Sequence, residues 1–165
     1  MVILGLDYGE RRIGVAASDP LEIAAHGLDT IERTDDESAI ERIAALVAER
    51  KAELVVVGLP RNMDGSLGPA AHKVLGFVKR LRTRLPGVPV ETTDERLSSA
   101  QAHRALSEEG ATLQRRAERV DRMAAQLILT RYLNARAYKK GGDEAGESPD
   151  SNSAEDPHKE KSDDA

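Results

Sequence analysis

The chain opens on an apolar run, Val2-Ile3-Leu4-Gly5-Leu6, which meets a carboxylate at Asp7 and turns at Gly9-Glu10-Arg11-Arg12 before resuming as Ile13-Gly14-Val15-Ala16. Short apolar runs bounded by turn residues predict a buried β-hairpin. Ser18-Asp19-Pro20 marks a turn, and residues 23–31 read as a third strand made irregular by His26-Gly27. Thr34 or Asp35 caps a helix over 36–51, in which Ile40, Ile43, Ala44 and Val47 recur at helical spacing. Residues 53–58 form a continuously apolar strand, the signature of a parallel strand covered on both faces. In the loop that follows, Asp64-Gly65-Ser66 is either a plain turn or a segment that touches substrate. Pro69 opens a helix whose stripe is Val74, Leu75, Val78, Leu81 and Leu85, and Pro86-Gly87 ends it. Residues 88–92 predict another short strand. Ser98 or Ser99 starts a helix through about Glu109 that Gly110 stops, Ser98 being a cap rather than a nucleophile. A last helix runs from Leu113 or Arg116 to Tyr138, with Val120, Met123, Ala124, Leu127, Ile128 and Leu133 on its buried side.

Strand–helix–strand alternation after an opening meander predicts an α/β fold, a mixed five-stranded sheet with helices on both faces. Residues 1–140 make one domain. Residues 141–165 are Ser/Asp/Glu/Pro-rich without periodicity and predict a disordered acidic tail.

Composition sharpens this picture in two ways. One Phe, three Tyr and no Trp leave an aliphatic core and argue against single-strand binding on aromatic platforms. With no cysteine, disulfides and thiolate metal sites are excluded. No signal-peptide pattern or membrane-length apolar run is present, so a cytoplasmic protein without membrane partners is expected. The net charge of −5 hides an asymmetry: residues 141–165 hold nine Asp/Glu against two Lys, a net of −7, which leaves residues 1–140 at +2. Basic residues cluster around Lys79-Arg80, around Arg115, Arg116, Arg119 and Arg122, and around Arg136 and Lys139-Lys140. Such clusters are either the footprint of a polyanion binder or ordinary solvated helix faces.

Three acids stand out. A carboxylate in a buried strand is costly without a partner, so Asp7 is either a turn cap at a strand end or a metal-binding acid. Glu95 follows the last strand near its carboxyl end, where open α/β sheets place their sites, and its neighbour Asp94 should face the other way. Asp121 has Ala124, Ala125 and Ile128 at i+3, i+4 and i+7, which puts it on the helix face that packs on the sheet. There it either reaches inward to a site or pairs with an arginine. Hard cations such as Mg²⁺ are held by a few carboxylates together with substrate phosphate, and such ions hydrolyse phosphodiesters. His26, His72 and His103 have no ligand-like spacing.

These same residues carry a family resemblance. Gly5-Leu6-Asp7-Tyr8-Gly9 with Arg12-Ile13-Gly14-Val15-Ala16, Val57-Gly58-Leu59-Pro60 with Asp64-Gly65-Ser66, Asp94-Glu95-Arg96-Leu97-Ser98, and Val120-Asp121 with Ala124-Ala125 resemble, in order, the four motifs of the YqgF/RuvX family. The resemblance spans roughly residues 2–138 and implies an RNase H-like fold and a cytoplasmic nuclease. The family was first proposed to resolve Holliday junctions and is now assigned to maturation of the 5′ end of pre-16S rRNA. Its metal-binding acids match Asp7, Glu95 and Asp121, with Mg²⁺ or Mn²⁺ as the expected cofactor.

The expected activity is therefore a metal-dependent endonuclease, a hydrolase of structured RNA acting in rRNA processing and ribosome biogenesis. Arg11, Arg12, Arg96, Arg115, Arg116 and Arg119 are candidates for phosphate contacts. The chain is expected to be a monomer or a homodimer. The alternatives are a DNA junction resolvase, which needs a symmetric dimer, and a non-catalytic nucleic-acid-binding module of the same fold.

Overall fold

The computed structural model describes residues 1–95 and 113–145, with side chains over 1–95 and 115–142. The elements are β1 (Val2–Tyr8), β2 (Arg12–Ser18), β3 (Ala25–Glu32), α1 (Asp36–Arg50), β4 (Ala52–Pro60), α2 (Pro69–Arg84), β5 (Val90–Glu95) and α3 (Leu113–Ala145). They build one five-stranded sheet in the order β3-β2-β1-β4-β5. The β1–β2 and β2–β3 pairs are antiparallel, and β4 joins β1 and β5 in parallel. The expected helix over residues 98–109 lies outside the described residues, as does the tail beyond residue 145.

Strand alternation sorts the core into two layers. Leu4 and Leu6 of β1, Ile13 and Val15 of β2, and Val55 and Val57 of β4 face α1 and α2, where Ile43, Phe77 and Leu81 complete the larger cluster. The intervening residues Ile3, Ala16, Leu54 and Val56 face α3 and pack on Ala125, Leu129 and Leu133. From Leu54 to Leu59 β4 is apolar and buried because helices cover both of its faces.

Local signals explain most boundaries. Asp35 is the N-cap of α1, its carboxylate accepting from the Ser38 backbone N–H, and Lys51 closes the helix in the left-handed region at φ 53°. Gly68 precedes α2, with Pro69 in its first turn. Asp64 accepts from both the backbone N–H and the hydroxyl of Ser66, and Gly65 sits at φ 84°, so this segment is a turn.

Four expectations shift. β5 extends to Glu95 instead of stopping near residue 92, because Thr93, Asp94 and Glu95 pair with Gly58, Leu59 and Pro60 of β4. As an edge strand it accepts polar side chains that a central strand would not. On α2, Leu75 is 37% exposed and Phe77 is fully buried in its place. On α3, Met123 and Leu127 pack, among the described residues, beside Val120 at the flank, while Ala125 and Leu129 carry the helix on the sheet. Finally, α3 runs through Gly141-Gly142 to Ala145, so the first residues of the expected tail are helical. A glycine costs a helix only about 1 kcal/mol relative to alanine, and no proline intervenes before Pro149.

Candidate active site

Asp7 lies near the carboxyl end of β1, opposite Gly14 of β2. By alternation with Ile3 it points to the side of the sheet that α3 covers. Its two neighbouring strands each present a glycine beside it, and each glycine brings in one further acid. An added Cβ on Gly14 would stand 1.9 Å from the backbone oxygen of Asp121. The backbone of α3 therefore rests directly on β2 at this point and brings Asp121 down to the sheet. On the other side Leu6 pairs with Val57, which puts Gly58 level with Asp7. A Cβ on Gly58 would lie 2.8 Å from Oε2 of Glu95 and 2.6 Å from Cδ1 of Ile128. The Glu95 carboxylate thus reaches across β4 through space that any larger residue would fill. In the sequence both glycines read as members of apolar strand runs. Their close-packing role leaves a signal only in that glycine inside a strand marks a close approach.

Glu91, four positions before Glu95 on β5 and so on the same side, accepts from the Tyr132 hydroxyl of α3 at 2.6 Å, so this side of β5 faces the helix. Asp94 faces the opposite way and pairs with Arg61. The hairpin turn beneath the acids is pinned from outside the hairpin. Gly9 N–H donates to the Arg12 carbonyl at 2.9 Å. Arg33 Nε donates to the Gly9 carbonyl at 3.0 Å, another of its N–H groups reaches the Glu10 carbonyl, and its guanidinium lies 4.8 Å from the centre of the Tyr8 ring. No sequence motif pointed to Arg33.

The electrostatics follow from this convergence. Burial, then the charge of Glu95, then that of Asp121, and a hydrogen bond with Glu95 push the Asp7 pKa up from 3.8 to about 8. At neutral pH Asp7 holds its proton and donates it toward Glu95. Asp121 is paired: Arg12 Nε donates to its Oδ2 at 2.8 Å. Both readings of Asp121 therefore meet in one residue, which faces the site and binds an arginine. Within the site, the three carboxyl groups are offset by the proton on Asp7 and the guanidinium of Arg12.

Among the described residues, no group of three or more His, Cys, Asp and Glu side chains stands ready to hold a metal ion as arranged. The donor chemistry nevertheless fits a hard divalent cation. All three groups are carboxylates, the oxygen donors that hard divalent cations take.

Of the candidate arginines, Arg12 is joined to the acids, through Asp121. Arg11 is exposed at the hairpin turn, and Arg115 and Arg119 are exposed near the start of α3. Arg116 is half-buried there, its Nε enclosed and without a hydrogen bond among the described residues. Arg96 lies outside the described residues. No helix among those described is long and apolar enough to cross a membrane.

The profile of the RuvX family, described as Holliday junction resolvase, matches residues 1–135. Proteins named "Putative pre-16S rRNA nuclease" from Halothermothrix orenii and Gloeobacter violaceus are each 46% identical over 134 residues, which is 81% of this chain and 95% and 84% of theirs. Among solved structures, Thermus thermophilus RuvC in complex with a Holliday junction substrate aligns with a TM-score of 0.52 at 18% identity, over 84% of this chain and 96% of that one. The fowlpox virus resolvase in complex with Holliday junction DNA aligns at 0.53 and 12% identity, over 82% of this chain and 99% of that one. These structures share the RNase H-like fold.

Proposed function

This chain belongs to the RuvX family, and from that premise we propose that it is a divalent-metal-dependent endonuclease that hydrolyses phosphodiester bonds in structured RNA, with the 5′ end of pre-16S rRNA as its substrate. The observation that carries the reading is the convergence of Glu95 and Asp121 on an Asp7 whose pKa they and burial raise to about 8. Carboxylates whose pKa is raised by burial and like charge cluster at functional sites. The relatives named for pre-16S rRNA support RNA over DNA.

Asp7, Glu95 and Asp121 would hold Mg²⁺ or Mn²⁺. A divalent cation bound there supplies Lewis-acid stabilisation of the phosphate and lowers the pKa of an attacking water. The chain's own residues do the rest. With such an ion held, Asp7 would serve as the carboxylate, its proton passing to solvent, because the repulsion that raises its pKa would be relieved. Glu95, at the end of an edge strand, would complete the ligand set together with Asp121. Arg12 would supply a cation to the phosphate backbone, and Arg33 holds the turn at the floor of the site. Such a protein works in the cytoplasm during ribosome biogenesis.

The family's description as Holliday junction resolvase keeps a DNA junction as the second reading. Cleavage of a pre-16S 5′ fragment and of a four-way DNA junction, side by side in Mg²⁺, Mn²⁺ and EDTA, separates the two. The proposal expects metal-dependent RNA cuts. Junction cleavage without RNA cleavage reverses it, and no product on either substrate favours a non-catalytic binding module.

A further inference from the structure

We propose that Arg12 is a built-in counter-cation that sets how tightly the acid site takes up its divalent cation and couples that uptake to the arrival of a phosphate backbone. This rests on the metal-dependent reading above. Arg12 is the first residue of β2 and, by alternation through Gly14, lies on the side of the sheet that α3 covers. Its Nε meets Oδ2 of Asp121 at 2.8 Å, with the two side chains 29% and 22% exposed. The pair is therefore neither sealed in the core nor loose on the surface, and both an ion and a polyanion can reach it.

Two consequences follow from charge alone. A cation drawing on Asp121 meets competition from the guanidinium for the same carboxylate and repulsion from its charge. A phosphate backbone offers the guanidinium an alternative partner that matches its planar fork at least as well as a carboxylate does. A polyanion that draws Arg12 away from Asp121 thereby strengthens cation binding, and by linkage the cation strengthens polyanion binding by the same factor. Metal loading without substrate is correspondingly weak. Arg12 acts through Asp121 and is a positioning residue in this role.

The test is calorimetric titration of Mn²⁺ alone into the full-length chain, with thermal unfolding run on each variant to check folding. Arg12→Gln should tighten Mn²⁺ binding roughly tenfold, the loss of one charge-assisted bond. Arg12→Lys keeps the charge and should stay within about twofold of wild type. In an Asp121→Asn background, where the competing bond is gone and only the charge repulsion is left, Arg12→Gln should tighten Mn²⁺ binding by no more than about threefold. Unchanged or weaker Mn²⁺ binding in Arg12→Gln overturns the proposal, as does an equal gain in the Asp121→Asn background. Wild-type binding that Asp7→Asn abolishes but Arg12→Gln leaves alone removes only the role of Arg12. No binding in wild type or Arg12→Gln removes the metal-dependent reading as well.

Discussion

Asp7→Asn removes a carboxyl group that the fold keeps protonated, yet the amide retains a donor toward Glu95, so the substitution isolates the energetic strain at the centre of the site. Asp7 has an ordinary pKa of 3.8 and one of about 8 in the folded chain. A group whose pKa is raised by folding contributes stability that is full below the lower value and lost as pH rises through the upper one. Between these limits the unfolded chain has released a proton that the folded chain still holds, so stability falls with rising pH. At 1.36 kcal/mol per pKa unit the gap corresponds to on the order of 5 kcal/mol. Relaxation and water entry reduce such penalties, so about 2–4 kcal/mol is the working expectation. Urea unfolding in EDTA reads this directly. With a urea m-value of about 2 kcal/mol per molar, Asp7→Asn should raise the midpoint by about 1–2 M at pH 8 and by little near pH 4. An Asp7→Asn protein no more stable than wild type at pH 8, or a gain that does not change with pH, would refute the reasoning.

Gly14→Ala places a methyl group 1.9 Å from the Asp121 backbone oxygen. Helix backbone cannot yield there, so α3 must lift; an unfolding free energy lower by about 3 kcal/mol or more and lost metal binding are expected, by urea titration and calorimetry. Glu22, held by Lys140 at 2.8 Å and Arg136 at 3.2 Å, ties the β2–β3 loop to α3. The Lys140 hydrogen bond, with the charges of Arg136 and Lys140, holds the Glu22 pKa below its usual 4.5. Its contribution is therefore present at neutral pH and lost as pH falls through that lowered value. Glu22→Gln should cost about 0.5–1 kcal/mol at pH 7 and nothing at a pH below the lowered value, measured by thermal melts across pH.

Much of this was legible in the chain. The opening hairpin, the doubly covered β4 and the inward side of α3 at Asp121 follow from patterns over a few residues, which is the range over which sequence periodicity speaks. What escaped depends on contacts between distant positions. Glu95 crosses Gly58, 37 positions earlier in the chain, and a glycine inside an apolar run signals a close approach without saying which residue makes it. Arg12 and Asp121 are 109 positions apart, so the arginine expected beside Asp121 had no address until the fold supplied one. The last strand, expected to end at residue 92, continues through the polar Thr93-Asp94-Glu95 because an edge strand is held by its pairing partner rather than by its own hydrophobicity. Leu75 and Phe77 exchanged places because a wide apolar stripe leaves its centre ambiguous by half a turn.

The central claim is that Asp7, Glu95 and Asp121 act together as the catalytic acids. Single-turnover cleavage of a pre-16S 5′ fragment in Mg²⁺, with RNA binding measured in parallel, tests it most directly. For Asp7→Asn, Glu95→Gln and Asp121→Asn, each folded by thermal melt, cleavage in Mg²⁺ should slow by on the order of 10²–10³-fold while RNA affinity measured in EDTA, where no cation couples to it, stays within about threefold of wild type. A purified Asp7→Asn protein that cuts at the wild-type rate would contradict it.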